Sequence, residues 1–148
     1  MIQANSSSSR PFPSWSYQSG SGRYYLNLAL WDTGNGLQGL LTGGEKPHIG
    51  GVVLAVPRPS LSGRGWSTDL YITPVPNHKD VDLARSLADS LARLSQAPVV
   101  VTAGIHSDSL TLEEINHLMK EFDSLSQQAL HELKKYFLSK NNTVLAKD

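Results

Sequence analysis

An α+β fold is what this sequence predicts: a mainly antiparallel sheet of five or six strands with two long helices packed on it. Three observations carry that prediction. Short apolar runs separated by Gly, Pro, Asn and Ser clusters fill residues 23–73, the pattern of strands joined by turns. Two later stretches, near 79–95 and 111–138, repeat apolar residues at helical spacing instead. Between them Val99, Val100 and Val101 follow Pro98 and supply one more β-branched strand.

Each element has its own signature. Arg23–Asp32 is a strand whose Leu26, Leu28 and Leu30 share a face. Thr33-Gly34-Asn35-Gly36 is a turn, and Leu37–Leu41 returns from it. Thr42–Pro47 is a Gly-rich loop. His48–Val56 is the most apolar run, with Ile49, Val52, Val53, Leu54 and Val56, so it is expected at the sheet centre, buried on both faces. After the loop Pro57–Gly65, Trp66–Thr73 forms a fourth strand that Pro74 and Pro76 end. The first helix is expected over Lys79–Ser95, with Asn77 as its cap and Asp80 and Asp82 at its positive end. The second is expected to begin at Thr111, which forms a capping box with Glu114. Its stripe runs through Ile115, Leu118, Met119, Phe122, Leu125, Ala129, Leu133 and Phe137.

Composition bounds the rest. At 148 residues, 39% hydrophobic and 18% charged, the chain suits one core. Residues 1–22 read as a Ser-rich flexible tail, 23–138 as a single α+β domain and 139–148 as a C-terminal tail. Lys plus Arg and Asp plus Glu are 13 each, which gives no reason to expect a nucleic-acid or membrane binder. The chain has no cysteine, which removes disulfides, thiolate zinc sites and thiol nucleophiles. A cytoplasmic protein is the expectation.

If successive strands pair as hairpins, one sheet edge collects the ends of distant segments: Gly43–His48, Asn77–Asp80 and Gly104–Asp108, together with the start of the second helix. His48, His78 and His106 then meet Lys46 and Lys79 beside two helix N-termini, a setting that favours a phosphate. Gly43, Gly44, Gly50, Gly51 and Gly104 would let backbone approach the ligand. The helix-one amides with Lys79 are the expected phosphate holders, and Lys46 and His78 assist. A divalent metal held by His48 and His106, with Glu45 or Asp108, is a second option. No Gly-x-Ser-x-Gly elbow, Walker loop or dinucleotide fingerprint is present, so a catalytic site is not expected.

The segments Gly-Gly-Glu-Lys-Pro-His-Ile-Gly (43–50), His-Lys-Asp (78–80), Ala-Gly-Ile-His-Ser-Asp (103–108) and Thr-x-Glu-Glu-Ile (111–115) carry a resemblance. Over about residues 23 to 138 the chain resembles the LpdD-like family of prenylated-flavin chaperones, the D subunits of hydroxyarylic acid and gallate decarboxylase systems. The resemblance implies a fold related to proteasome assembly chaperones and a homodimer. It also implies a non-catalytic accessory protein that binds prenylated FMN, or FMN. Its partners would be a UbiD-type decarboxylase, which receives the cofactor, and a flavin prenyltransferase. On that reading Gly43, Gly44, Lys46, His48, His78, Lys79, Gly104, Ile105 and His106 hold the cofactor, and Trp31, Trp66, Tyr71 or Ile105 walls the flavin ring. A cofactor-free assembly chaperone and a small metal-dependent enzyme are the alternatives these residues leave open.

Overall fold

The computed structural model describes residues 12–145, with side chains as far as Asn141; the outer parts of both expected tails lie outside these residues. Six strands form one sheet: β1 (Ser14–Ser19), β2 (Leu26–Asp32), β3 (Leu37–Gly44), β4 (Gly51–Pro59), β5 (Trp66–Pro74) and β6 (Val99–His106). Helix α1 (Val81–Ser95) joins β5 to β6, and α2 (Leu112–Leu145) follows β6. The spatial order is β1-β2-β3-β6-β4-β5. Every neighbouring pair is antiparallel except β3 and β6. No helix among the described residues is long and apolar enough to cross a membrane.

Both helices lie on one face of this sheet. Strand alternation sends Leu26, Leu28, Leu30, Leu41, Val53, Val99 and Val101 to that face, where they are fully buried. Helix α1 packs Ala84, Leu87, Ala88 and Leu91 over β4, β5 and β6, while α2 packs Leu125, Ala129 and Leu133 towards β1, β2 and α1. Each fully buried leucine contributes about 1.5–3 kcal/mol of transfer free energy, so this two-layer interior is the main stabilising element.

The structure departs from the sequence expectation in five places. Residues 14–19, expected in a tail, form β1, because Trp15, Tyr17 and Ser19 share the face towards α2, where Tyr17 is buried and Ser19 bonds Glu121, while Ser14 and Ser16 lie on the other face. β3 and β4 do not pair; β6 lies between them. β4 starts at Gly51 and alternates buried with half-buried residues, so only one of its faces is covered. Asp80 stands at the start of α1 without a side-chain capping bond, whereas Asn77 sits in a left-handed turn at φ 65°. Finally, α2 continues past 138 to Leu145. Its capping box is present as expected: Thr111 N–H donates to the Glu114 carboxylate (2.8 Å) and Glu114 N–H to Thr111 Oγ1 (3.2 Å).

The extra length of α2 serves the pole where β2 ends. Asp32 is 2% exposed. Its carboxylate accepts from Gly34 N–H (2.8 Å), the Tyr136 hydroxyl (2.7 Å) and Lys140 Nζ (2.8 Å). Burial alone would raise this carboxyl group, but the bonds from Lys140, Tyr136 and Gly34 outweigh it and hold Asp32 below its ordinary value. Burial and the same carboxylate push the Tyr136 hydroxyl up to about 12. The last turns of α2 are thereby tied to the β2–β3 turn.

Asp32→Asn is expected to cost about 1–3 kcal/mol at pH 7 in urea unfolding, because it weakens several buried bonds at once. The folded carboxyl titrates below its unfolded value, so its contribution is complete above the unfolded value and is lost as pH falls through the folded one. The stability gap between wild type and Asp32→Asn should therefore close in acid.

Candidate functional site

The pole opposite Asp32 gathers the ends of four connections. β3 and β6 run in parallel and finish there, opposite one another at Gly44 and His106. β4 begins there, with Gly51 opposite both Ala103 and Pro74, the last residue of β5. Helices α1 and α2 both start at this rim. The connection from β3 to β4, residues 45–50, must therefore cross the end of β6.

That crossing explains two glycines. A Cβ on Gly104 would fall 1.6 Å from the His48 carbonyl oxygen, and one on Gly50 would fall 2.4 Å from Asp80 Oδ2. The freedom of these glycines is spent on the chain's own close approaches rather than on a ligand. Gly43 and Gly44 are likewise engaged: Gly44 donates to the Tyr25 carbonyl (2.8 Å) and has φ +71°, and a Cβ on Gly43 would meet Tyr25 O at 2.2 Å.

The crossing also brings three imidazoles together. The ring centroids of His48 and His78 are 4.8 Å apart, and those of His48 and His106 are 6.0 Å apart. With Lys46 and Pro47 these rings line an open depression of about 320 Å³. Each ring is held by one nitrogen. His78 Nδ1 lies 2.9 Å from the Pro76 carbonyl, His106 Nε2 lies 2.8 Å from Asp108 Oδ1, and His48 Nδ1 lies 3.0 Å from the Lys46 carbonyl. His48 Nε2 also faces Asp80 Oδ2 at 2.9 Å. Both atoms are buried and their alignment falls short of a hydrogen bond, so the contact is electrostatic rather than a directed bond.

Lys46 is differently placed from the expectation. Its ammonium pairs with Asp108 Oδ2 at 2.5 Å. The hydrogen bond and charge of Asp108 hold Lys46 above its ordinary value, and Lys46, then His106, hold Asp108 below its own. A network that sequence reasoning missed surrounds this pair. Arg23 bonds Glu114 (3.2 Å) and the Asp108 carbonyl, and its guanidinium lies 3.8 Å from Glu45. Glu45 accepts from Asp108 N–H (3.2 Å), and Ser107 Oγ donates to the Arg23 carbonyl (2.8 Å). The alternation of sign among Arg23, Glu45, Lys46, Asp108 and Glu114 was the available signal.

Other expected site residues lie elsewhere. Ile105 is 6% exposed and belongs to the core. Trp31 pairs with Gln38, six residues before Gly44, and is about 20 Å from the rim along the strand. Trp66 is farther still, opposite Pro59. Tyr71 is exposed on β5, level with Leu54. In α1 the Asp82 and Leu83 amides donate to the Lys79 and Asp80 carbonyls, so the helix start is partly closed to an anion. Metal binding is not supported either. His48 has both nitrogens engaged, and no group of three His, Cys, Asp or Glu among the described residues is arranged to hold an ion.

What remains for a ligand is His78 Nε2, His106 Nδ1 and Lys79 Nζ, none of which bonds another described residue. Lys79 follows His78 in sequence and is exposed. Lys79 is a donor. His78 Nε2 and His106 Nδ1 are acceptors in the neutral rings, whose other nitrogens donate to the Pro76 carbonyl and the Asp108 carboxylate, and they donate only as imidazolium. With the rings protonated the set suits an anionic group.

The fold defines the class first. The chain is similar to a crystal structure titled as a novel chaperone complex for yeast 20S proteasome assembly, with a TM-score of 0.52 and 16% identity, covering 85% of this chain and 98% of that one. At that identity the likeness concerns the fold alone. The sequence itself places the protein: it belongs to the prenylated flavin chaperone LpdD-like domain family, whose profile matches residues 20–134. No curated protein matches the chain.

Gly104→Ala should displace the 45–50 crossing and cost about 3 kcal/mol or more. A melting point about 6–12 °C lower than wild type is the expected calorimetric result.

Proposed function

We propose that this protein is a non-catalytic carrier that holds prenylated FMN, or FMN, at the histidine rim and passes it to a UbiD-type hydroxyarylic acid decarboxylase. The observation that carries the reading is the meeting of His48, His78 and His106 from three separate segments on one depression, in a chain of the prenylated flavin chaperone family. Lys79 and the imidazolium form of His78 hold the phosphate, and His106, also as imidazolium, orients it through the nitrogen that Asp108 leaves unused. His48, tied to Asp80, positions the His78 ring beside it. The cofactor's chemistry is exercised in the decarboxylase; the residues here bind, orient and release it. The reading includes a homodimer, a cytoplasmic setting and contact with the flavin prenyltransferase that makes the cofactor.

Co-expression with a flavin prenyltransferase, followed by purification without oxygen, should give coloured protein with flavin absorbance. Colourless protein under those conditions would count against the carrier. By calorimetric titration with FMN, His78→Ala and Lys79→Ala should each weaken binding about 10-fold, the loss of one charge-assisted contact. Lys46→Ala should weaken it less, because its ammonium is already satisfied by Asp108. Unchanged affinity in both His78→Ala and Lys79→Ala would remove the phosphate assignment.

A further inference from the structure

We infer that the outer edge of β5 is where the recipient decarboxylase docks, by adding an extended segment of its own as a further strand of the sheet. The identity of the occupant rests on the carrier reading; the open edge does not.

β5 is an outermost strand and pairs on one side only, with β4. Proline fixes which of its backbone groups that pairing uses. In an antiparallel pair, residues alternate between positions that exchange hydrogen bonds and positions that do not. Pro57 stands opposite Thr68, Pro59 opposite Trp66 and Pro74 opposite Gly51. A proline has no N–H to exchange, so these three are the pairs without bonds. They fall on alternate positions of one register. Val75, one residue past Pro74, donates to the Gly50 carbonyl (2.8 Å), as the alternation requires. Ser67, Asp69, Tyr71 and Thr73 therefore bond β4. Thr68, Leu70 and Ile72 turn their N–H and C=O groups away from it, and those groups bond no other described residue.

Open strand edges are ordinarily blunted by lysine, proline, a bulge or a covering segment. Between Trp66 and Thr73, β5 has neither lysine nor proline, and its register with β4 is unbroken. Its one charge, Asp69, is paired with Arg58 of β4. β1, at the other edge, has α2 over it, with Trp15 packed on Tyr136. The side chains along the β5 edge are apolar as well. Leu70 and Ile72 stand opposite Ala55 and Val53, both fully buried, so they extend the core face beyond the reach of α1. Leu70 is half-buried and Ile72 is 43% exposed. Thr68 Oγ1 donates to Asp89 of α1, which holds the strand in place as a template. One more strand, apolar beside Leu70 and Ile72, would complete the layer.

The occupant follows from what the edge offers and where it leads. A row of N–H and C=O groups at strand spacing pairs with an extended backbone, the strand-addition mode of recognition. From Pro74 the chain needs only Val75, Pro76 and Asn77 to reach His78 and Lys79. A segment laid along β5 thus ends beside the candidate phosphate site. A protein docked there stands within reach of whatever part of the ligand the depression leaves accessible.

Amide hydrogen exchange on the full chain, with and without the cofactor-free UbiD-type decarboxylase of the same organism, tests this. Alone, the Thr68, Leu70 and Ile72 amides should exchange at least about 10-fold faster than those of Asp69, Tyr71 and Thr73. With the decarboxylase they should slow by at least about 10-fold. Ile72→Pro removes one outward N–H and no bond to β4, a position at which an edge strand accepts proline. It should weaken decarboxylase binding about 10-fold in calorimetric titration, the loss of one backbone hydrogen bond, and leave flavin retention as in wild type. Ile72→Lys, which adds the charge that such edges ordinarily carry, should weaken binding equally and keeps the test valid if the proline variant does not fold. Slow Thr68, Leu70 and Ile72 amides in the chain alone would mean that a second copy fills the edge, and would overturn the inference. So would decarboxylase binding that leaves these amides fast, unchanged affinity in both variants, or no binding by protein that retains flavin. Loss of flavin retention with the edge still protected by the decarboxylase would remove the carrier reading and leave the docking edge standing.

Discussion

The placement of β6 between β3 and β4 is the constraint from which the rest follows. β3 and β6 are parallel, so both finish at one pole, and β4 must start from that pole on the far side of β6. The link 45–50 has to span two inter-strand spacings, about 10 Å, directly over the last residues of β6. Only a residue without a Cβ can lie beneath such a crossing, which is the role of Gly104. The crossing carries Lys46 to Asp108 and His48 to His106 and His78. A hairpin from β3 to β4 would leave no reason for these groups to meet so closely.

The two poles of the sheet are stabilised in opposite ways. At the Asp32 pole a buried carboxylate has three donors and is satisfied. At the rim the Lys46–Asp108 pair is exposed, 64% and 60% at the side chain, while Arg23 and Glu114 beside it are more covered. Exposed pairs contribute little to stability, so the rim network orients groups more than it holds the fold together. The fold is held by the leucine interior and by the tie between α2 and the β2–β3 turn. Rim groups such as His78 Nε2 and Lys79 Nζ are therefore left without an intramolecular partner at small cost to the folded state.

Much of this was legible because the rim depends only on the direction of each element, not on its neighbour. Short turns at 33–36 and 60–65 reverse the chain, and a helix between β5 and β6 returns it, so the rim segments could be grouped without knowing the strand order. Strand order was not legible, because Val99–Val101 and Val52–Val56 are both apolar enough for any central position. β1 was missed because only Trp15 and Tyr17 mark its inward face in a stretch of serines. Asp32 gave no signal alone; its partners Tyr136 and Lys140 are more than a hundred residues away. Ile105, by contrast, was readable as core, since it shares alternation with Val99, Val101 and Ala103.

The rim and the sheet face away from the helices are joined by register. His106 continues the outward alternation of Val100, Thr102 and Gly104, and the backbone of His48 passes over Gly104 on that same side. The histidine depression thus borders the face away from the helices rather than the helical layer. A site that must keep a reactive intermediate encloses its ligand and excludes water. This depression is open and formed by only five residues, so a ligand bound there would be gripped at one end, with the remainder accessible. Binding by one end limits the buried area and hence the affinity. On the proposed carrier reading that geometry is the appropriate one: transfer requires the recipient to bury what the carrier leaves exposed.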